Sequence, residues 1–148
     1  MKVGLYSQLD ERRGSGHEQH RNGIFKNLRY VDLTKRLPFA DASCEAVFSS
    51  HVLEHLFVDE IRPLLLEVPR ILVPRGICRV VVPDLEKIVS LFDPSNPEPF
   101  LHDMFEIDTR SAIKNAHHCG ITNTFLAKLF SEVGFTSTTI CSFKSGEC

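Results

Sequence analysis

Apolar residues are spaced differently in successive stretches of the chain, and each change of spacing marks an element. Val3-Gly4-Leu5-Tyr6-Ser7 is a short candidate first strand, after which Gln8 to Asn27 is polar, rich in Gly, Arg and His, and follows neither period for most of its length. Residues 1–27 are therefore atypical of a packed domain and read as loop or partly disordered chain. Leu28, Tyr30, Val31 and Leu33 predict a strand over Leu28 to Leu33, and Ala46-Val47-Phe48 predicts a second that ends at Ser49-Ser50. Ile61, Leu64, Leu65, Val68, Ile71 and Leu72 recur every three or four residues, which lays one apolar stripe along a helix starting near Asp59. Pro63 falls in its first turn, whereas Pro69 lacks an N–H and predicts a kink near Glu67 to Arg70.

Pro74-Arg75-Gly76 is a helix stop, and the β-branched run Ile77 to Val82, closed by Pro83, predicts a strand buried on both faces. Asp84 to Phe92 reads as a short helix with Asp84 as N-cap, followed by a loop around Pro94, Pro97 and Pro99. Thr122 or Asn123 caps a last helix with Phe125, Leu126, Leu129, Phe130 and Val133 on one face and Gly134 at its end. Phe135 to Phe143 alternates loosely as a C-terminal strand. Strands alternating with helices imply an α/β fold with a mostly parallel, doubly wound sheet, whose ligand site lies beyond the carboxyl ends of its strands.

Composition narrows the function. The 148 residues suit one domain, 1–148, with a core that needs no staple. Seventeen basic against nineteen acidic residues lack the basic footprint of a nucleic-acid binder. No apolar run approaches the ~20 residues of a membrane span, and Met1 to Ser7 carries no signal-peptide core, so a cytoplasmic address is expected. Five cysteines without a C-x-x-C pair read as reduced thiols.

Asp32-Leu33-Thr34, Leu37-Pro38-Phe39, Asp41, Ser43 and Ser49-Ser50-His51-Val52-Leu53-Glu54-His55-Leu56 form an ordered series. It continues through Leu66-Glu67, Arg70-Ile71-Leu72, Pro74-Arg75-Gly76 and Val80-Val81-Val82-Pro83-Asp84, and resumes at His117 and in Leu129 to Phe135. From Tyr30 onward the chain resembles the small class I, S-adenosylmethionine-dependent methyltransferases of type 11. The resemblance implies a Rossmann-like sheet of seven strands, with Leu28 to Leu33 as the third, Ala46 to Ser50 as the fourth and Ile77 to Val82 as the fifth. It implies S-adenosylmethionine as cofactor, with Asp32 and the Leu33 backbone near the adenine, Leu37 and Phe39 on the apolar side, and Ser49, Ser50 and His51 beneath the sulfonium. It also places His117 on the acceptor side.

The N-terminal part departs from that pattern. The family's Gly-x-Gly-like turn and ribose-binding carboxylate are not recognisable; Ser7-Gln8 stands where the turn belongs, and Gly14-Ser15-Gly16 follows a charged run. A full βαβ unit takes about thirty residues, more than Gln8 to Asn27 provides, so the N-terminal part of the sheet is expected to be abbreviated. A second copy or a partner subunit covering that side is one consequence.

His51, Glu54 and His55 are candidate acid/base groups, open equally to capping or packing roles. Asp84, at a strand end, and His117 are candidate acceptor contacts. No metal centre is expected, because the adjacent side chains of His117-His118-Cys119 do not converge on one ion. Arg12, Arg13, Arg21, His17 and His20 read as a solvated arm or an anion contact, and Phe100, Met104 and Phe105 as cover for the core. The resulting expectation is a methyltransferase acting on a small-molecule or glycan-like acceptor. Its alternative is a catalytically silent, methyltransferase-like binding or regulatory subunit, or a truncated family member.

Overall fold

The structure, a computed structural model, describes residues 4–6, 28–105 and 116–141. Gly14-Ser15-Gly16, Glu18 and the basic arm from Arg12 to Arg21 lie outside the described residues. Two short strands, β1 (Gly4–Tyr6) and β2 (Leu28–Tyr30), pair in parallel with Gly4 opposite Leu28 and Tyr6 opposite Tyr30. A second parallel pair joins β3 (Cys44–Ser50) to β4 (Leu72–Val81). Between β3 and β4 run a 3₁₀ turn, Leu53–His55, and the helix α1, Val58–Ile71. That βαβ unit is the centre of the described fold. The α/β class and the parallel pairing agree with expectation. Of the seven strands implied by resemblance, the described residues form four, in two separate pairs.

Helix α1 buries the predicted stripe of Ile61, Leu64, Leu65, Val68 and Ile71. It runs as one α-helix through Pro63 and Pro69 to Ile71, so neither proline ends it, and Pro63 lies beyond the first turn. Two interior prolines cost about 6 kcal/mol in all. Burying five large aliphatic side chains returns roughly 8–15 kcal/mol, which is why packing prevails over local propensity. At the start of α1 the Phe57 N–H donates to Glu60 Oε2 at 2.9 Å.

β4 begins earlier than predicted, at Leu72, directly after α1. Its register jumps from Cys44–Leu72 to Ala46–Ile77, so Pro74-Arg75-Gly76 forms an excursion within the strand rather than a helix stop. Arg75 there adopts φ +67°, and a Cβ on Gly76 would meet the Val73 and Glu45 carbonyl oxygens at 2.9 and 3.1 Å. The two-faced burial expected of Ile77 to Val82 is not found. Cys78, Val80 and Val82 pack on the core, whereas Ile77 and its neighbour Phe48 on β3 are both 66% exposed. Among the described residues, α1 covers only one face.

Beyond β4, α2 (Leu85–Ser90) is capped by Asp84, whose side chain accepts from the Glu86 N–H. α3 (Glu98–Phe105) forms where only a proline-rich loop was predicted. Of the residues expected to cover the core, Phe105 is exposed, whereas Phe100 and Met104 are half-buried. α4 (Asn123–Glu132) is capped by Thr122, whose Oγ1 accepts from the Phe125 N–H at 3.1 Å. It ends as predicted with Gly134 at φ +100°. Phe135 N–H donates to the Phe130 carbonyl and Gly134 N–H to that of Ser131, while the Phe130 and Phe135 rings meet edge to face at 5.0 Å. This Schellman-type stop turns the chain. Residues 135–141 form no strand, contrary to the expected one over Phe135 to Phe143.

The core joins Val31, Leu33 and Leu37 with Leu53, Leu56, α1, Ile121 and the inner face of α4. Cys44, Cys78 and Cys119 are free thiols, but Cys141 is disulfide-bonded, which corrects the expectation of five reduced cysteines. No helix among the described residues is long and apolar enough to cross a membrane.

Candidate functional site

The site is built around the carboxyl end of β3. The ladder with β4 carries one residue past the strand, since His51 N–H donates to the Val81 carbonyl at 3.0 Å. His51 itself adopts φ +53°, a conformation that costs a non-glycine residue roughly 1–2 kcal/mol. The reversal swings the chain into the 3₁₀ turn, where Leu53 and Leu56 anchor the backbone in the core. Between them, Glu54 is buried with a relative exposure of 2%. Its carboxylate Oε1 lies 3.2 Å from His51 Nδ1, and the His51 side chain is 60% exposed.

A distant segment, Ala116 to Cys119, is laced to the same turn. The Glu54 carbonyl accepts the His118 N–H at 2.7 Å and the Cys119 N–H at 3.3 Å. Cys119 Sγ reaches the Leu53 carbonyl at 3.6 Å, and His55 Nδ1 lies 3.4 Å from the Ala116 carbonyl oxygen. The His55 and His117 rings meet edge to face, 5.0 Å between centroids, and His118 lies over Phe57 at 4.3 Å. His117 is also tied to the end of α3 by its N–H on the Phe105 carbonyl. One donor atom each from Glu54, His55 and His117 therefore falls within 4.8 Å of the others. Burial, and then the nearby Glu54 charge, pushes the Cys119 thiol up; burial alone lifts Cys78 to about 11.

Asp84 is half-buried at the end of β4 and bridges in parallel to Ile121, with Leu85 N–H donating to the Ile121 carbonyl. It thus lies along the chain that leads from His117, although its carboxylate is engaged in capping α2.

The residues expected around the adenine have defined local roles. Asp32 closes a turn, accepting from the Thr34 N–H at 3.0 Å and the Thr34 hydroxyl at 2.7 Å, and pairs with Lys35 at 3.0 Å. The Thr34 hydroxyl and Lys35 hold its carboxyl below the usual range. Leu33 and Leu37 are buried in the core, while Phe39 is half-buried against it. Ser49 is half-buried and Ser50 exposed at the β3 tip.

An unforeseen clamp holds the segment from Leu37 to Asp41. Arg70 forks onto Glu67, Nε to Oε1 at 2.9 Å and Nη2 to Oε2 at 2.5 Å. It also donates to the Leu37 and Phe39 carbonyls and to Asp41 Oδ1 at 3.0, 2.9 and 2.7 Å. Glu67 Oε2 in turn accepts the Leu37 N–H at 2.9 Å. Arg70 is the main reason the Glu67 carboxyl lies below its ordinary value.

The methyltransferase-domain family model matches residues 10–80. That match, over residues 10–80 of the 148, supports a class I S-adenosylmethionine-dependent methyltransferase assignment. No curated protein matches the chain. The matched stretch holds β2, the Arg70 clamp, β3, the 3₁₀ turn and most of β4, and so includes Asp32, His51, Glu54 and His55. Asp84 and His117 fall outside it; the fold brings His117 to the turn.

Proposed function

We propose that this methyltransferase transfers the sulfonium methyl of S-adenosylmethionine to a small-molecule or glycan-like acceptor, at the carboxyl end of β3. The observation that carries the reading is the exposed His51 held on the buried Glu54 by the reversed backbone after that strand. Bound cofactor would supply an electrophilic methyl on a good leaving group, so positioning and proton removal are what the protein must add. Glu54 accepting the Nδ1–H of His51 fixes the tautomer that leaves Nε2 basic. That nitrogen then takes the proton of an acceptor hydroxyl or amine as the methyl arrives. His55, His117 and Asp84 border the acceptor side.

The donor set at β2 suits a nucleoside. A carboxylate offers about four acceptor sites, and the contacts of Asp32 with Thr34 and Lys35 leave capacity for a hydroxyl or an amine. Phe39 supplies apolar surface, and the half-buried Ser49 with the exposed Ser50 supplies polar groups beneath the sulfonium.

Calorimetry with S-adenosylhomocysteine tests the reading. Saturation at about 100 times the Kd should stabilise the fold by roughly 2.7 kcal/mol, and Asp32→Ala should weaken binding. Neither heat nor thermal shift at millimolar ligand would remove the enzymatic reading. The exposed Phe48 and Ile77 favour the second reading, a silent subunit that buries the outer face of β3 and β4 against a partner or a second copy. Light scattering that finds an oligomer without nucleoside affinity would support it.

A further inference from the structure

We propose that Glu54, His55 and His117 bind one divalent first-row transition-metal ion. Their donor atoms lie within 4.8 Å of one another, whereas ligands at about 2.0–2.2 Å from a shared ion stand roughly 3.3–4.2 Å apart. Side-chain rotation closes that difference. Both Glu54 carboxylate oxygens and His117 Nε2 are buried, so the ion would enter a sheltered place where its charge offsets the cost of a desolvated carboxylate.

The surroundings orient the ligands. With His55 Nδ1–H on the Ala116 carbonyl at 3.4 Å, the lone pair falls on Nε2, the arrangement by which a second partner fixes a ligating imidazole. The two N–H groups on the Glu54 carbonyl bind the turn carrying Glu54 and His55 to the segment carrying His117. His51, against Glu54 Oε1, is a positioning residue for the carboxylate.

Two imidazoles and a carboxylate suit zinc, iron or cobalt over magnesium or calcium, which favour all-oxygen sites. Three protein ligands leave a coordination position for water or an oxygen of a bound molecule. On the reading of the site as a methyltransferase, that oxygen would belong to the acceptor. Metal binding itself does not depend on that reading.

The full chain, stripped with a chelator, is titrated with Co²⁺ and followed by its visible absorption, then displaced with Zn²⁺. One equivalent should bind. Glu54→Gln and His117→Asn should each weaken binding about 100-fold or more, His51→Ala roughly 10–100-fold, and the exposed neighbour His118→Ala less than about threefold. No absorption, or binding that survives both Glu54→Gln and His117→Asn, overturns the site. If those variants fail to fold by circular dichroism, X-ray absorption of the zinc-loaded wild type decides: two imidazoles with oxygen support the site, and a shell without imidazole sinks it. Calorimetry with S-adenosylhomocysteine on the stripped protein reads the nucleoside site separately, so either idea can fail alone.

Discussion

Glu54, just ahead of α1, and Glu67, near its end, are two shielded carboxylates beside cationic side chains, put to opposite uses. Glu67 is gripped by both arms of Arg70, a guanidinium that stays charged at any working pH. That network also fixes four groups of the Leu37 to Asp41 segment and offers little to a ligand. Glu54 faces an imidazole whose other nitrogen lies in an exposed ring. The first arrangement is a fixed ion pair; the second is the one proposed to pass a proton. A motif-bearing carboxylate is thus structural or chemical according to its partner.

The sharpest way to break this contrast is at His51. His51→Ala should lower kcat about 10²- to 10⁴-fold, measured as S-adenosylhomocysteine released with an acceptor that supports turnover, and leave the circular dichroism spectrum unchanged. Equal turnover would show that the imidazole takes no part. Removing the shared support comes next: Ile61→Ala, at a fully buried position on α1, should cost about 2–5 kcal/mol in urea unfolding and loosen both ends together.

Arg70→Met separates them. It should lower Tm and raise the Kd for S-adenosylhomocysteine by freeing Leu37 to Asp41, with a smaller effect on kcat. Because Glu67 is held below its ordinary 4.5, the clamp contributes fully above that pH and is lost as pH falls through the depressed folded value. Thermal melts across the acid range should therefore decline less steeply in Arg70→Met than in the wild type, and parallel curves would contradict the assignment. The smallest effect belongs to a remote control. Thr122→Ala should cost about 1 kcal/mol through the lost cap of α4 and leave nucleoside affinity alone.

What local chemistry decides was legible in the sequence. The stripe of α1, the caps Asp84 and Thr122, and the stop at Gly134 follow from side-chain spacing and backbone preference within a few residues. α3 was hidden by its prolines, although Pro99 sits in the first turn, where the missing N–H costs little. The excursion at Pro74-Arg75-Gly76 depends on the approach of Glu45 from β3, and the exposure of Ile77 depends on what lies across the sheet. The loosely alternating C-terminal run mimicked a strand, but the Phe130–Phe135 contact directs the chain elsewhere. At the site, His51, Glu54 and His55 stood out as neighbours. Their meeting with His117 did not, because the sixty-one residues between His55 and His117 must fold before the four share one corner.

The seam between that corner's two halves is made by peptide groups: the amides of His118 and Cys119 converge on the backbone oxygen of Glu54. Such a junction is indifferent to which side chain residue 54 carries. A substitution there alters the side-chain chemistry and leaves both donors of the joint with the same backbone acceptor.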